Sequence, residues 1–218
     1  GLLEAARPGS TYIDMSTIAP AVAVRVGEAF AARGVECLDA PVSGGDVGAQ
    51  QGTLSIMVGG AQSTFDRAKP IFDTLGKSAV LCGGPGADQT VKVCNQILTA
   101  VTIAGVSEAL TMGAKAGVDP AKVVEVLSGG LARCGVLENR GQRMVQGDFV
   151  PGFRIRLHYK DLNIIRETSK HFGVPLPVTA VTHELFATAM AKGREELDHT
   201  GLLTVVEELA DIQTRTSL

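Results

Sequence analysis

Several signals are missing from this sequence, and each omission removes a class of function. The four cysteines, Cys37, Cys82, Cys94 and Cys134, form no CxxC pair and have no metal-like spacing. They read as buried thiols in a reducing cytosol. The four histidines include no HExxH and no paired spacing, so a metal site has little support. Charge is mixed, with a formal net of −3 and neither a basic block nor a long like-charge run, which argues against a nucleic-acid face or a charged tail. No apolar run reaches the roughly 18 residues of a membrane span. The opening GLLEAARPGS has no basic start and no uncharged apolar stretch, unlike a signal peptide, and reads as the end of a helix already under way in a longer chain.

What is present suffices for a packed protein. Hydrophobic residues make up 45% and charged residues 20%, which disfavours disorder, and 218 residues fit one large domain or two modest ones. Strand and helix signals alternate at first. TYIDM (11–15), VECLDAPV (35–42), GTLSIMVGG (52–60, with Leu54, Ile56 and Val58 alternating) and SAVLCG (78–83) read as strands. Residues 20–33 and 62–75 read as helices stopped by Gly34 and Gly76. After Gly86 the strand signals end. A long helix is expected over 87–116. A short one follows, capped by Asp119 with Pro120 in its first turn, and further helices cover roughly 131–145, 156–172, 177–192 and 200–212. The predicted fold is α/β followed by all-α, with domains at 1–84 and 85–218.

Four segments carry candidate chemistry. In DAPVSGG (39–45) a strand ends in Ser43-Gly44-Gly45. This is either a loop whose backbone N–H groups and hydroxyl hold a carboxylate, or a plain strand-ending turn. In DMSTIAP (14–20), Ser16 or Thr17 either caps the helix starting near Pro20 or touches a cofactor at the same sheet edge. In GGPGADQTVKVCNQ (83–96), Lys92 either snorkels from an apolar helix or sits in a cleft as a proton donor and acceptor, with Asn95 and Gln96 on its face. FRIRLHYKDLN (153–163) reads mainly as a solvated helix face, with His158 a satisfied surface or half-buried histidine.

In this order, and along essentially the whole chain, these segments and the later LDHTGLL (197–203) resemble the β-hydroxyacid dehydrogenase family, and within it the tartronate semialdehyde reductase branch. The resemblance implies the C-terminal part of a Rossmann-like domain, joined by a long helix to an all-helical domain, and NAD or NADP as cofactor. It implies Lys92 as the catalytic acid/base with Asn95 orienting the substrate. It implies Ser43, Gly44 and Gly45 as ligands of a carboxylate-bearing hydroxy acid or semialdehyde, such as tartronate semialdehyde or glycerate. It implies Ser16, Thr17 and Lys160 as cofactor contacts, and a homo-oligomer built through the all-α domain. No partner among nucleic acids or membranes is expected. The family's opening strand, G-x-G-x-x-G turn and helix are not in this sequence, and GGPGAD has the wrong glycine spacing to replace them. The alternative reading is a non-catalytic module acting through oligomerisation or binding. A 6-phosphogluconate dehydrogenase relative would carry a His beside the Lys–Asn pair, and none is there.

Overall fold

The computed structural model describes residues 1–215 and realises the expected alternation. In chain order come α1 (Leu2–Ala5), β1 (Thr11–Asp14), α2 (Pro20–Ala31), β2 (Glu36–Asp39), β3 (Val42–Ser43), α3 (Gly45–Gln50), β4 (Leu54–Gly60), α4 (Gln62–Leu75) and β5 (Gly76–Gly83). The single run read at 35–42 is thus two strands. Pro41 has no N–H to give a ladder, although its carbonyl still accepts from Met57 N at 3.0 Å. The six-residue helix α3 has no counterpart in the sequence pattern, in which residues 43–45 read as a binding loop or a strand-ending turn. It fits between Gly44 and Gly52, too short to show periodicity.

The sheet is mixed. β1 and β2 are parallel, β4 runs antiparallel to β2 and β3, and β5 is parallel to β4. Register matters for the site: Asp14 pairs with Asp39, Asp39 with Gly59, and Ser43 with Ser55. β4 is the central strand. Its alternation points Leu54, Ile56 and Val58 inward, but Met57 is buried as well, because both faces are covered. Around it Leu38, Phe65 and Phe72 close the core; full burial of a side chain such as Phe72 is worth about 1.5–3 kcal/mol.

The remainder is helical: α5 (Ala87–Lys115), α6 (Pro120–Gly129), α7 (Gly135–Gln146), α8 (Ile155–Phe172), α9 (Pro177–Ala191), a 3-10 turn (His199–Leu202) and α10 (Leu203–Ala210). Asp119 caps α6 as expected, accepting from Ala121 N at 2.9 Å. The helix read at 131–145 starts only at Gly135, and that read at 200–212 opens as the 3-10 turn. By length and composition α5 could cross a bilayer. Along it Lys92, Gln96, Ala100, Ile103, Ser107 and Leu110 are buried, while Leu98 and Met112 are more than half exposed.

The chain forms two compact units. The first comprises Gly1–Asn95 and Ile164–Gly173; the second comprises Gln96–Asn163 and the chain from Val174 onward. The second is organised around Leu110, Val124, Met144 and Leu203. There Asp198, completely buried, accepts from the backbone of Gly152 (2.9 Å) and Phe153 (3.1 Å) and from the Thr200 hydroxyl (2.7 Å). His158 lies deeper than the surface or half-buried position read from sequence. It is fully buried among Phe153, Phe186 and His199, with its Nδ1 3.1 Å from that of His199.

One of the two rings must accept the other's proton, so the pair tolerates no second positive charge. Burial drives His199 down to about 4 against the opposing pull of Asp198. A histidine whose folded value lies below its unfolded 6.5 favours the fold above that pH and loses the contribution as pH falls from 6.5 towards 4. We expect urea unfolding to show a loss of about 3 kcal/mol over that interval, and His199→Gln to flatten the slope. Identical slopes for the two proteins would assign the acid sensitivity elsewhere.

Candidate active site

The site lies in the first unit, where β1 and β2 end side by side at Asp14 and Asp39. In α/β sheets this carboxyl edge is where ligands bind. The first turns of α5 run along it. Gln89 donates to Ser16 O and Asp39 Oδ1, both at 2.9 Å, and accepts from Ile18 N at 3.2 Å. One turn on, Lys92 Nζ donates to the carbonyl of Val42 at 2.8 Å. Lys92 is only 5% exposed, so the snorkelling reading does not apply. Its ammonium sits beside the residue that precedes Ser43. Asn95, half-buried, follows three residues later on the same helix.

Ser43 is half-buried and Gly44 and Gly45 are exposed. Both glycines take positive φ, +137° and +64°, which side chains disfavour, and a Cβ on Gly44 would also press on Leu54 at 3.1 Å. The tight turn therefore requires them, and it leaves an open backbone next to Lys92.

Neither Ser16 nor Thr17 caps α2. Its N-cap is Ala19, which makes no side-chain bond, and Pro20 supplies a preset φ at N1. Ser16 N instead bonds Asp14 Oδ1 at 2.9 Å, and the Ser16 side chain is exposed at the sheet edge. The carboxyl groups of Asp14, Asp39 and Asp88 lie under this segment.

Lys160 belongs to the second unit, where its ammonium is 3.1 Å from Asp161 Oδ1; Gln96 Nε2 donates to the other oxygen of Asp161 at 2.6 Å. Among the cysteines, Cys94 is exposed and the other three are half-buried, which corrects the expectation of four buried thiols. Burial, then the charge of Asp39, raises Cys37 to about 11, so it is no thiolate.

The sequence reading passed over Asp39, Asp88 and Gln89. Asp88 sits in the first turn of α5, where an acid is ordinary, and its facing partner lies far away in sequence. The faint signal was two polar residues, Asp88 and Gln89, opening a helix that buries both.

Residues 86–206 match a sequence profile for the NAD-binding region of NADP-dependent 3-hydroxyisobutyrate dehydrogenase, and residues 1–84 match one for the NAD-binding domain of 6-phosphogluconate dehydrogenase. The chain is 47% identical over 211 residues to 2-hydroxy-3-oxopropionate reductase of Escherichia coli K12, covering 97% of this chain and 72% of the relative. Its fold superposes on 3-hydroxyisobutyrate dehydrogenases from Salmonella typhimurium (TM-score 0.87) and Mycobacterium tuberculosis (TM-score 0.85). Each is 32% identical, with 94% of this chain and 72% of the other covered.

Proposed function

Because the chain belongs to the 3-hydroxyisobutyrate dehydrogenase-like family of β-hydroxyacid dehydrogenases, enzymes that use NAD or NADP, we propose that it interconverts tartronate semialdehyde and glycerate. The substrate follows from the similarity to the E. coli reductase. The observation that supports the chemistry is the buried Lys92 ammonium 2.8 Å from Val42 O, at the mouth of the Ser43-Gly44-Gly45 turn.

Bound NADH or NADPH supplies the hydride. Lys92 stabilises the charge that grows on the aldehyde oxygen and donates the proton that completes the hydroxyl; in the oxidative direction it takes that proton back. Ser43 and the backbone of Gly44 and Gly45 hold the substrate carboxylate, and Asn95 orients the reacting end. Ser16 and Thr17 touch the cofactor. Lys160 is assigned to the cofactor by the resemblance of its segment alone.

The test is turnover with tartronate semialdehyde against methylmalonate semialdehyde, each with NADH and NADPH. Preference for the first supports the assignment; preference for the second moves the protein to the hydroxyisobutyrate branch. Ser43→Ala should raise KM for the carboxylate substrate about tenfold, the worth of one hydrogen bond to a charged group, with kcat little changed. An unaltered KM would place the carboxylate elsewhere.

We further propose a homo-oligomer through the helical region. Leu98 and Met112 on α5 and Val178 and Val181 on α9 are all more than half exposed, a load of apolar surface that association would cover. Light scattering at micromolar concentration should give a multiple of the chain mass; a monomer would refute the proposal.

A further inference from the structure

A buried polar network lies beneath the sheet edge, apart from the residues assigned above to proton transfer. Every polar atom of the fully buried Gln89 amide is engaged: the two N–H groups point to Ser16 O and Asp39 Oδ1, and the oxygen accepts from Ile18 N. A flipped amide would set N–H against N–H and oxygen against two acceptors, so the network fixes its orientation. Behind it the carboxyl groups of Asp39 and Asp88 face each other. As two carboxylates, Asp39 Oδ2 and both oxygens of Asp88 find no hydrogen-bond partner among the described residues, which is costly for buried acceptors. One proton resolves this: Asp88 then donates to Asp39, whose Oδ1 stays with Gln89.

We propose that Gln89 is a positioning residue for the cofactor segment Ser16–Ile18, and that a single proton held between Asp39 and Asp88 keeps it in place. The functional half rests on Ser16 and Thr17 being cofactor contacts; the structural half does not. The groups facing the pair are Tyr12 and Asp14 on β1, Cys37 on β2 and Cys82 on β5, with Lys92 one turn further along α5 bonded to Val42 O. Burial, then the facing Asp39, pushes Asp88 up to about 8. The proton is therefore held at neutral pH and lost above about 8. Ionised together, the two carboxylates repel, Asp39 shifts, and the Gln89 amide loses an anchor.

The experiment follows the Ile18 amide by NMR hydrogen exchange, corrected for intrinsic exchange, from pH 6.5 to 9.5, alongside NADPH dissociation constants. In the wild type, Ile18 protection should fall about tenfold through pH 8. Asp88→Asn, whose side-chain amide can donate to Asp39 at every pH, should hold it flat. Gln89→Met should lose the protection at all pH values and weaken NADPH binding, with the kcat of the saturated enzyme little changed. Wild-type protection that is flat across pH 8 would overturn the shared proton, whether or not Gln89→Met folds. Protection surviving Gln89→Met would overturn the positioning role. If the exchange results hold while NADPH binds equally to wild type and Gln89→Met, the network is real and the cofactor reading of Ser16–Thr17 is what fails.

Discussion

In a protein that also carries the family's opening strand, G-x-G-x-x-G turn and helix, Lys92→Ala should lower kcat by about 10²–10⁴, the usual share of a positioned acid/base, with the NADPH dissociation constant and the fold little changed. The ammonium is buried, bonded to Val42 O, and next to the turn proposed to hold the substrate carboxylate. Reduction of an aldehyde leaves an alkoxide unless a proton arrives, and Lys92 is the donor proposed to deliver it. Lys92→Arg should not restore turnover. Its guanidinium is bulkier, keeps its proton at any working pH and carries its donors in a rigid plane. Steady-state kinetics with both substrates saturating checks this. A Lys92→Ala enzyme with near-normal kcat would remove Lys92 from the chemistry and leave it a structural tie between α5 and β3.

The second large effect concerns Gly59. A Cβ there would lie 2.7 Å from Asp88 Cγ and closer still to its Oδ1, with Gly84 O at 3.2 Å. The Asp88 side chain cannot easily retreat, because it faces Asp39. Gly59→Ala should therefore cost about 3 kcal/mol, the upper end for overpacking, and lower Tm by about 6–12 °C for a chain of this size. Removing the obstacle should relieve it: Asp88→Ala in the Gly59→Ala background should recover most of the loss, a coupling that independent sites would not show. Additive losses, read by calorimetry at pH 7, would mean that the clash is absorbed by movement of β4 rather than by Asp88.

Much of this arrangement was legible because it obeys local rules. Pro120 behind Asp119 announced α6, and the alternation of Leu54, Ile56 and Val58 announced β4. Gly44 and Gly45 suggested a turn, and their positive φ values bear that out. Local rules also misled. A hydroxyl four residues before Pro20 looked like a cap, but the chain enters α2 through Ala19, while Ser16 N turns back to Asp14. Pro41 inside a β-rich run should have demoted it, and the run does break there. Burial of polar groups was hidden altogether. Whether Lys92 snorkels or is enclosed, and whether Asp88 meets water or another acid, depends on strands that the sequence places dozens of residues away.

That separation has a kinetic side. The bonds that shape the sheet edge join residues 71 apart (Ile18 with Gln89) and 50 apart (Asp39 with Gln89, Val42 with Lys92). Loops of that length close slowly and at an entropic cost that only the finished contacts repay. On the ribosome, β1 to β5 emerge before the helix that ties their ends together. The strands can pair and bury Leu38, Ile56 and Phe72 while the segments around Ser16 and Ser43 are still unfastened. Assembly of the proposed reactive centre is therefore expected late, when the opening turns of α5 dock.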